Sequence, residues 1–186
     1  MFTKLFGAAA LAASLSLAGS VGAYAQSNPM VGGAAMYADK NIIENAVNSK
    51  DHTTLVAAVK AAGLVDTLQS AGPFTVFAPT NAAFAALPEG TVETLLKPEN
   101  KAMLVKILTA HVIAGNYSDA DLEAMAEKNP EGFTLKTVSG DRLQFTKLGS
   151  VLYVVDESGN AAKITISNVN QSNGVIHVVN KVLLPK

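Results

Sequence analysis

The feature that most constrains the fold is a change of hydrophobic period near residue 133. Before that point, apolar residues recur at helical spacing, as in Leu55, Val56 and Val59. From Phe133 to Leu184, apolar and polar residues instead alternate, in runs separated by turn sequences rich in Gly and Asn. Helices and strands that occupy separate parts of a chain are typical of α+β proteins. The sequence therefore predicts an α+β fold, with N-terminal and central helices packed against an antiparallel sheet.

The alternating region divides into short predicted strands, and the first two form a hairpin across Ser139-Gly140-Asp141. An earlier apolar run, bounded by Gly72-Pro73 and Pro79, is predicted to join the same sheet. The predicted strands are Phe74–Ala78, Phe133–Val138, Arg142–Lys147, Val151–Val155, Ala162–Val169 and Val175–Leu184.

The run TVFAPTNAAF, Thr75 to Phe84, changes abruptly from strand to helix. Pro79 has no backbone N–H, so a strand must end or lie at a sheet edge there. Thr80 and Asn81 are both good N-caps, and the alanine-rich residues after them favour a helix. The corner thus has a folding explanation, and the Gly-x-Ser-x-Gly pattern of a nucleophile elbow is absent from the sequence.

The first 25 residues have the pattern of an export signal. Lys4 precedes an apolar, alanine-rich run, and Ala23-Tyr24-Ala25 is a small-x-small cleavage site before Gln26. The apolar run is short for a membrane span, and an uncleaved anchor is the alternative. We expect residues 1–25 to be a signal peptide, 26–38 a flexible N-terminal arm and 39–186 the folded domain, in the periplasm or outside the cell.

Composition narrows the possible partners. Without Lys4, the chain has 13 Lys and Arg against 15 Asp and Glu, and its basic residues form no run. We therefore expect no nucleic-acid partner, and no integral membrane segment after the leader. Because the chain contains no cysteine, an exported protein of this kind must be stabilised by buried apolar surface instead of disulfides.

Three histidines, His52, His111 and His177, are the candidate chemical groups. They lie far apart without the ligand spacing of a zinc site, so we expect no metal and no cofactor. His177 lies in a strand, which favours a half-buried imidazole bonded to a neighbour; His111 lies at a helix–strand junction and can donate to backbone carbonyls. A meeting of these two imidazoles at a site is the alternative. His52, at a helix start, is expected to be solvated. We expect no catalytic residues, since no Ser, His and Asp show a recognisable triad arrangement.

The N-terminal arm is the part least explained by folding. It is Gly-rich and carries Met30, Met36 and Tyr37, and Met103 and Met125 lie on predicted helices. Methionine adapts to irregular apolar surfaces, so these side chains are candidate contacts for an apolar ligand, although for the two methionines on helices core packing is the simpler role. An arm ordered against the domain would cover a groove.

Two segments resemble the signatures of fasciclin-like domains: TVFAPTNAAF, and NGVIHVVNKVLLP from Asn173 to Pro185. His111-Val112 lies where the family has its central histidine motif. The resemblance covers about residues 37–186 and implies a fasciclin-like β-sandwich wedge with helices packed against it. The structural signature that it implies consists of Thr75, Phe77, Pro79, Thr80, Asn81, Phe84, His111, Asn173, Gly174, His177, Asn180 and Pro185.

The resemblance also implies a function class. Members of the family are secreted or surface proteins linked to adhesion, matrix, biofilm or host contact, and they bind protein or carbohydrate partners without catalysis. Some relatives bind carotenoids, so a carrier of an apolar small molecule, such as a carotenoid or lipid, is the alternative. Two positions depart from the family pattern: Ala110 stands where a Tyr is frequent, and Asn180 stands where an Asp linked to integrin recognition is common. Receptor binding through residue 180 is therefore not expected.

Overall fold

A computed structural model describes residues 28–186, so the predicted export signal lies outside the described residues. Short 3-10 turns at Lys50–His52 and Pro98–Asn100 lead into two of the helices. The helices within this range are α1 Ile42–Ala46, α2 Thr53–Ala62, α3 Val65–Gln69, α4 Asn81–Ala85, α5 Thr91–Leu95, α6 Lys101–Ala110 and α7 Asp119–Lys128.

The strands form a seven-stranded sheet in the order β2-β1-β7-β6-β5-β4-β3. They are β1 Phe74–Pro79, β2 Val112–Ala114, β3 Phe133–Lys136, β4 Arg142–Leu148, β5 Val151–Val155, β6 Ala161–Gln171 and β7 Gly174–Val179. Most helices precede most strands along the chain, and the predicted α+β fold class is confirmed.

One strand pair departs from the predicted antiparallel sheet. β1 and β7 run parallel, in register from Phe74 opposite Gly174 to Pro79 opposite Val179. A parallel pair needs a long connection, and all the elements between β1 and β7 provide it here. The parallel pairing was not predicted, because the hydrophobic period of a strand does not indicate which other strand it pairs with. The pairing brings the TVFAP and NGVIHVV segments side by side inside the sheet.

The close approach of β1 and β7 explains Gly174. A Cβ built on Gly174 would overlap the carbonyl oxygen of Phe74 across the pair. Glycine is therefore required at this position by the space between the two strands, since any side chain would push them apart.

Buried apolar side chains form two clusters. The first lies between the N-terminal helices and β1 and β7, and includes Val59, Val76 and Leu108. The second lies beneath α7, where Leu122 packs with Phe145 of β4. Full burial of one such side chain stabilises a fold by about 1.5–3 kcal/mol. These clusters supply the stabilisation that a cysteine-free chain needs.

The described part of the N-terminal arm, from residue 28 onward, packs against the domain, whereas the sequence led us to expect a flexible arm over residues 26–38. Val31 and Met36 are buried in the first cluster. The Asn28 side chain pairs with the Asn170 backbone of β6, accepting from its N–H at 2.8 Å and donating to its carbonyl at 2.6 Å. The segment lacks a regular period, so its apolar residues gave no sign of this packing.

No helix within residues 28–186 is long and apolar enough to cross a membrane.

Candidate functional site

The Thr75 hydroxyl joins β1 to the segment that follows β2. Thr75 is fully buried, and its Oγ1 donates to the Gly115 carbonyl at 2.8 Å. The same oxygen accepts a hydrogen bond from the Tyr117 backbone N–H at 2.9 Å. A buried hydroxyl that both donates and accepts in this way holds backbone in place and is not positioned as a nucleophile.

At the strand-to-helix corner, Thr80 and Asn81 have different roles. Thr80 is the N-cap of α4, since its hydroxyl accepts from the Ala83 N–H at 3.2 Å. Asn81 is the first helical residue, so the alternative in which Asn81 caps α4 is wrong. Its Oδ1 accepts from the Thr54 N–H at 3.0 Å, and its Nδ2 donates to the Lys50 carbonyl at 2.9 Å. The Asn81 amide therefore ties the corner to the start of α2.

The apolar signature residues lie in the two core clusters. Phe77 is fully buried, and its ring centroid lies 5.5 Å from that of Phe145 and 5.6 Å from the His177 ring. Phe84 of α4 is buried in the first cluster, and Pro79 is the last residue of β1. These side chains position the corner by packing.

The His111 imidazole is buried between two backbone groups. Its Nε2 accepts from the Leu183 N–H at 2.9 Å, so the proton of the neutral ring is on Nδ1, which donates to the Ile107 carbonyl at 2.8 Å. Burial lowers the pKa of His111 to about 4, although the Ile107 bond and the charge of Asp156 oppose this shift. His111 is therefore neutral at neutral pH and joins the end of α6 to the C-terminal segment.

His177 is completely buried, not half-buried as predicted, because β7 is covered on both faces. Its Nε2 donates to the Tyr117 carbonyl at 2.9 Å, while its Nδ1 has no hydrogen-bond partner within residues 28–186. Burial lowers the pKa of His177, opposed by the Tyr117 bond and the charge of Asp119. The unpartnered nitrogen faces protein and not solvent.

The burial of His52 contradicts a further prediction. His52 was expected to be solvated, but its side chain is only 3% exposed. Nδ1 and the Ser49 hydroxyl are 2.8 Å apart, whereas Nε2 makes no hydrogen bond of normal geometry in the described part of the chain. Burial lowers the pKa of His52, although the nearby Ala78 carbonyl raises it in part. The cause of the burial is the packing of the N-terminal segment and of β1 around the start of α2, which local sequence does not reveal.

Asn173 connects the second signature to two helices. This buried side chain accepts from the Ile42 N–H at 3.1 Å. Its Nδ2 donates to the Leu68 carbonyl at 2.7 Å and to the Ser70 carbonyl at 2.9 Å. One amide thus satisfies the start of α1 and the end of α3, so its donors and acceptor are fully used inside the fold.

Beyond Val179 the chain leaves the sheet, although the predicted strand extended to Leu184. Asn180 accepts from the Lys163 N–H at 2.8 Å through its side chain and donates its own N–H to the Lys163 carbonyl at 3.2 Å. The Asn180 side chain thereby replaces a regular ladder bond, and the segment ending at Pro185 follows an irregular path.

Asp156 is a structural residue that sequence reasoning missed. Its carboxylate is buried and accepts from the N–H groups of Ser158 at 2.9 Å, Asn160 at 2.8 Å and Leu184 at 2.8 Å. The Asp-x-Ser-Gly-Asn sequence is typical of an Asx-turn and was the available signal. The contact with the C-terminal segment had no local signal.

The signature residues lie at separate places in the fold, each bonded or packed locally. Within residues 28–186 there is no group of three His, Asp or Glu side chains that is arranged to hold a metal ion. His111 and His177 are each committed to a different backbone carbonyl. The hydrogen bonds of these side chains hold separate backbone segments together.

Concave regions within residues 28–186 include an apolar cavity and a polar cleft. An apolar cavity of about 60 Å³ lies among the N-terminal segment, α2 and β1, and its lining includes Val31, Met36 and His52. A polar cleft of about 260 Å³ lies among α7, β5 and β6. Neither contains the signature hydroxyl of Thr75.

The comparisons with known proteins agree with this architecture. The fasciclin domain family model matches residues 50–185. The protein sll1483 of Synechocystis is 44% identical over 160 residues, covering 86% of this chain and 82% of the relative. The cell surface glycolipoprotein MPB83 of Mycobacterium bovis is 34% identical over 168 residues, covering 87% and 69%.

Among solved structures, the chain is similar to a FAS1 domain pair from the insect cell adhesion molecule Fasciclin I. The TM-score is 0.69 at 17% sequence identity, which shows likeness of fold. The match covers 78% of this chain and 51% of that chain, so this chain corresponds to about half of the pair. The family match together with these relatives shows that the chain belongs to the fasciclin domain family.

Proposed function

We propose that this protein is a secreted, non-enzymatic adhesion module that binds a protein or carbohydrate partner through its outer surface. The observation that carries the proposal is the use of the signature polar groups. The side chains of Thr75, Asn81, His111 and Asn173 each bond to backbone groups inside the fold. Recognition is then left to residues outside the signature.

The state of the histidines supports a role without catalysis. A general base needs a pKa near the working pH and reach to a substrate proton. The pKa of His111 is about 4 and its two ring nitrogens are bonded to backbone, so it has neither property. His177 is equally buried, and its pKa is also lowered.

The names of related proteins support the adhesion role. One fold relative is an insect cell adhesion molecule, and MPB83 is a cell surface protein. The A-x-A pattern before Gln26 supports export. Removal of residues 1–25 and a domain spanning 39–186 stay predictions. Asn180 is engaged with the Lys163 N–H, which supports our expectation that this position is not a receptor contact.

A binding assay with the intact chain tests the proposal. Beads coated with the folded chain are incubated with cell envelopes and matrix of the producing organism, alongside beads coated with heat-unfolded chain. We expect saturable retention by the folded chain alone, and no turnover of ester or glycoside substrates. Retention no greater than that of the unfolded chain would remove the adhesion role, and turnover of a substrate would restore an enzymatic one.

The alternative is a carrier for an apolar molecule, favoured by the apolar cavity beneath the N-terminal segment. Its volume of about 60 Å³ is far below the roughly 300–1,000 Å³ of drug-sized ligand sites. A carotenoid or lipid would therefore require Val31 and Met36 to move away. Native mass spectrometry and absorbance of protein purified from its source decide this point: bound cargo supports the carrier, and a mass equal to that of the polypeptide counts against it.

A further inference from the structure

Strands β5 and β6 pair over only part of their length. Their register runs from Val155 opposite Ala161 to Tyr153 opposite Lys163. β5 begins at Val151, and β6 continues to Gln171 alongside β7. Beyond Lys163 the two strands therefore separate, and the polar cleft of about 260 Å³ occupies the gap.

The outer edge of β6 is satisfied at both ends of this gap. Before the gap, β6 pairs with β5 through Lys163. After it, the Asn28 side chain bonds both backbone groups of Asn170, as a neighbouring strand would. Asn168 between them has a positive φ of 57° and accepts the Asp119 N–H at 2.8 Å. Within residues 28–186, no strand pairs with the outer edge of Ile164–Ser167.

The lining of the cleft is suited to main-chain recognition. The hydroxyl side chains of Ser150 and Ser167 contribute donors and acceptors next to the strand edges of β5 and β6. The Thr165 hydroxyl donates to the Val178 carbonyl at 3.2 Å and contributes an acceptor. The lining has no aromatic ring on which the face of a sugar would stack, which favours a polypeptide over a carbohydrate. An extended peptide can bind to an exposed strand edge of this kind as an additional strand, through hydrogen bonds between the two backbones.

Two charges lie at opposite ends of the open edge. Lys163 is the last residue that pairs with β5, and Asp119 lies at the other end, bonded through its backbone to Asn168. Both residues line the cleft, and neither forms an ion pair within residues 28–186. The third charge in the lining, Glu123, is already paired with Lys147 at 3.2 Å. Lys163 and Asn168 are five residues apart, which is about 16 Å in a regular strand. β6 is irregular over this length, with register shifts between Ile164 and Ile166 and between Ile166 and Val169 in its pairing with β7.

We propose that this cleft binds an extended peptide segment of a partner protein, about five residues long, as an added strand on β6. An acidic side chain of the peptide pairs with Lys163, and a basic side chain near its other end pairs with Asp119. The inference rests on the proposed adhesion role, since it names the contact surface and the chemistry of the partner.

A displayed library of random peptides, selected on the immobilised full chain, tests the inference. We expect enriched peptides to carry one acidic and one basic residue about three to five positions apart. A synthetic peptide of that sequence, titrated into the ¹⁵N-labelled full chain, is expected to shift the amide signals of Val151, Leu152 and Ile164–Ser167.

Charge exchange makes the test specific. Lys163→Glu should weaken binding of the peptide about tenfold, the effect of roughly 1.4 kcal/mol. A second peptide, in which the acidic residue is replaced by Lys, should bind the Lys163→Glu chain with the affinity that the first peptide has for the unaltered chain. Lys60→Glu, an equivalent change on the exposed face of α2, is the matched control and should leave binding unchanged. An amide spectrum that is unaltered except near the substituted residue verifies folding of each variant.

Three results would overturn the inference: no enrichment of peptides, amide shifts confined to another surface, or an equal loss of binding in the Lys60→Glu control. A glycan that binds the cleft in place of any peptide would also overturn it, in favour of a carbohydrate site. If the chain retains an adhesion partner whose contacts lie elsewhere, the adhesion role stands and the cleft assignment alone fails.

Discussion

Acidification should destabilise this protein through His111. The pKa of this imidazole is about 4 in the folded chain, against an ordinary value of 6.5, because burial disfavours the charged ring. Between these values the unfolded chain binds a proton that the folded chain does not. Stability from His111 is therefore fully present above pH 6.5, falls as the pH is lowered toward 4, and changes no further below that.

The size of the effect follows from the shift. Each unit of pKa difference corresponds to 1.36 kcal/mol, so His111 alone should remove about 3 kcal/mol of unfolding free energy between pH 7 and pH 4. Folded proteins of this size have about 5–15 kcal/mol of stability in total. The lowered pKa values of His52 and His177 act in the same direction. The protein should therefore be markedly less stable at pH 4 than at pH 7, although no catalytic group is involved.

The contribution of His111 to the pH dependence of stability is measured by urea unfolding at a series of pH values. The unaltered chain is compared with the His111→Gln variant, in which residue 111 does not titrate. The variant should be less stable at pH 7, because the Nδ1–H bond to the Ile107 carbonyl is lost. Its stability should depend less on pH, by about 3 kcal/mol over the same range. An identical pH dependence in both proteins would refute the reasoning. If the variant does not fold, an NMR titration of His111 in the unaltered chain tests the lowered pKa directly. A midpoint near pH 6.5 is incompatible with a buried, neutral imidazole.

Four further substitutions test the cap of α4, the packing of the N-terminal segment and the Asn173 amide, each measured by urea unfolding at pH 7. Thr80→Ala should cost about 1 kcal/mol, the effect of a lost N-cap, and an unchanged midpoint would mean that the hydroxyl does not cap α4. Met36→Ala should cost about 2–5 kcal/mol, whereas Met30→Ala, at an exposed position of the same segment, should cost less than about 0.5 kcal/mol. Equal effects of the two methionine substitutions would indicate that the N-terminal segment is not packed on the domain. Asn173→Ala should cost about 3 kcal/mol, since it leaves the buried Ile42 N–H and the buried Leu68 carbonyl without a partner; a loss under 1 kcal/mol would contradict the bonds assigned to this amide.

Much of the fold was accessible from local sequence. The alternating run after Phe133 predicted the hairpin and the two strands that follow it, because strand period is a local property. Val151–Val155 was predicted with its observed bounds. The strand before Pro79 and the N-cap at Thr80 were also predictable from local sequence. The missing N–H of Pro79 and the hydroxyl of Thr80 both act on residues that are close in the chain.

The remainder depended on contacts between distant residues. The parallel pairing of β1 with β7 and the burial of His52 have no local signal, because each is created by elements far away in the chain. The packing of Val31 and Met36 was missed for the same reason. At the candidate site, the residue types of the signature were identified through family resemblance, whereas the backbone partners of Asn173 and His111 appear only in three dimensions.

A purely structural role of the signature histidines is tested most directly by the ring ¹⁵N NMR spectrum of the three histidines in the folded chain at pH 7. We expect neutral rings throughout, with the proton of His111 on Nδ1 and the proton of His177 on Nε2, both in slow exchange with solvent. A charged ring, or one that exchanges rapidly between tautomers at position 111 or 177, would reveal an imidazole available for chemistry and would contradict a purely structural role of the signature.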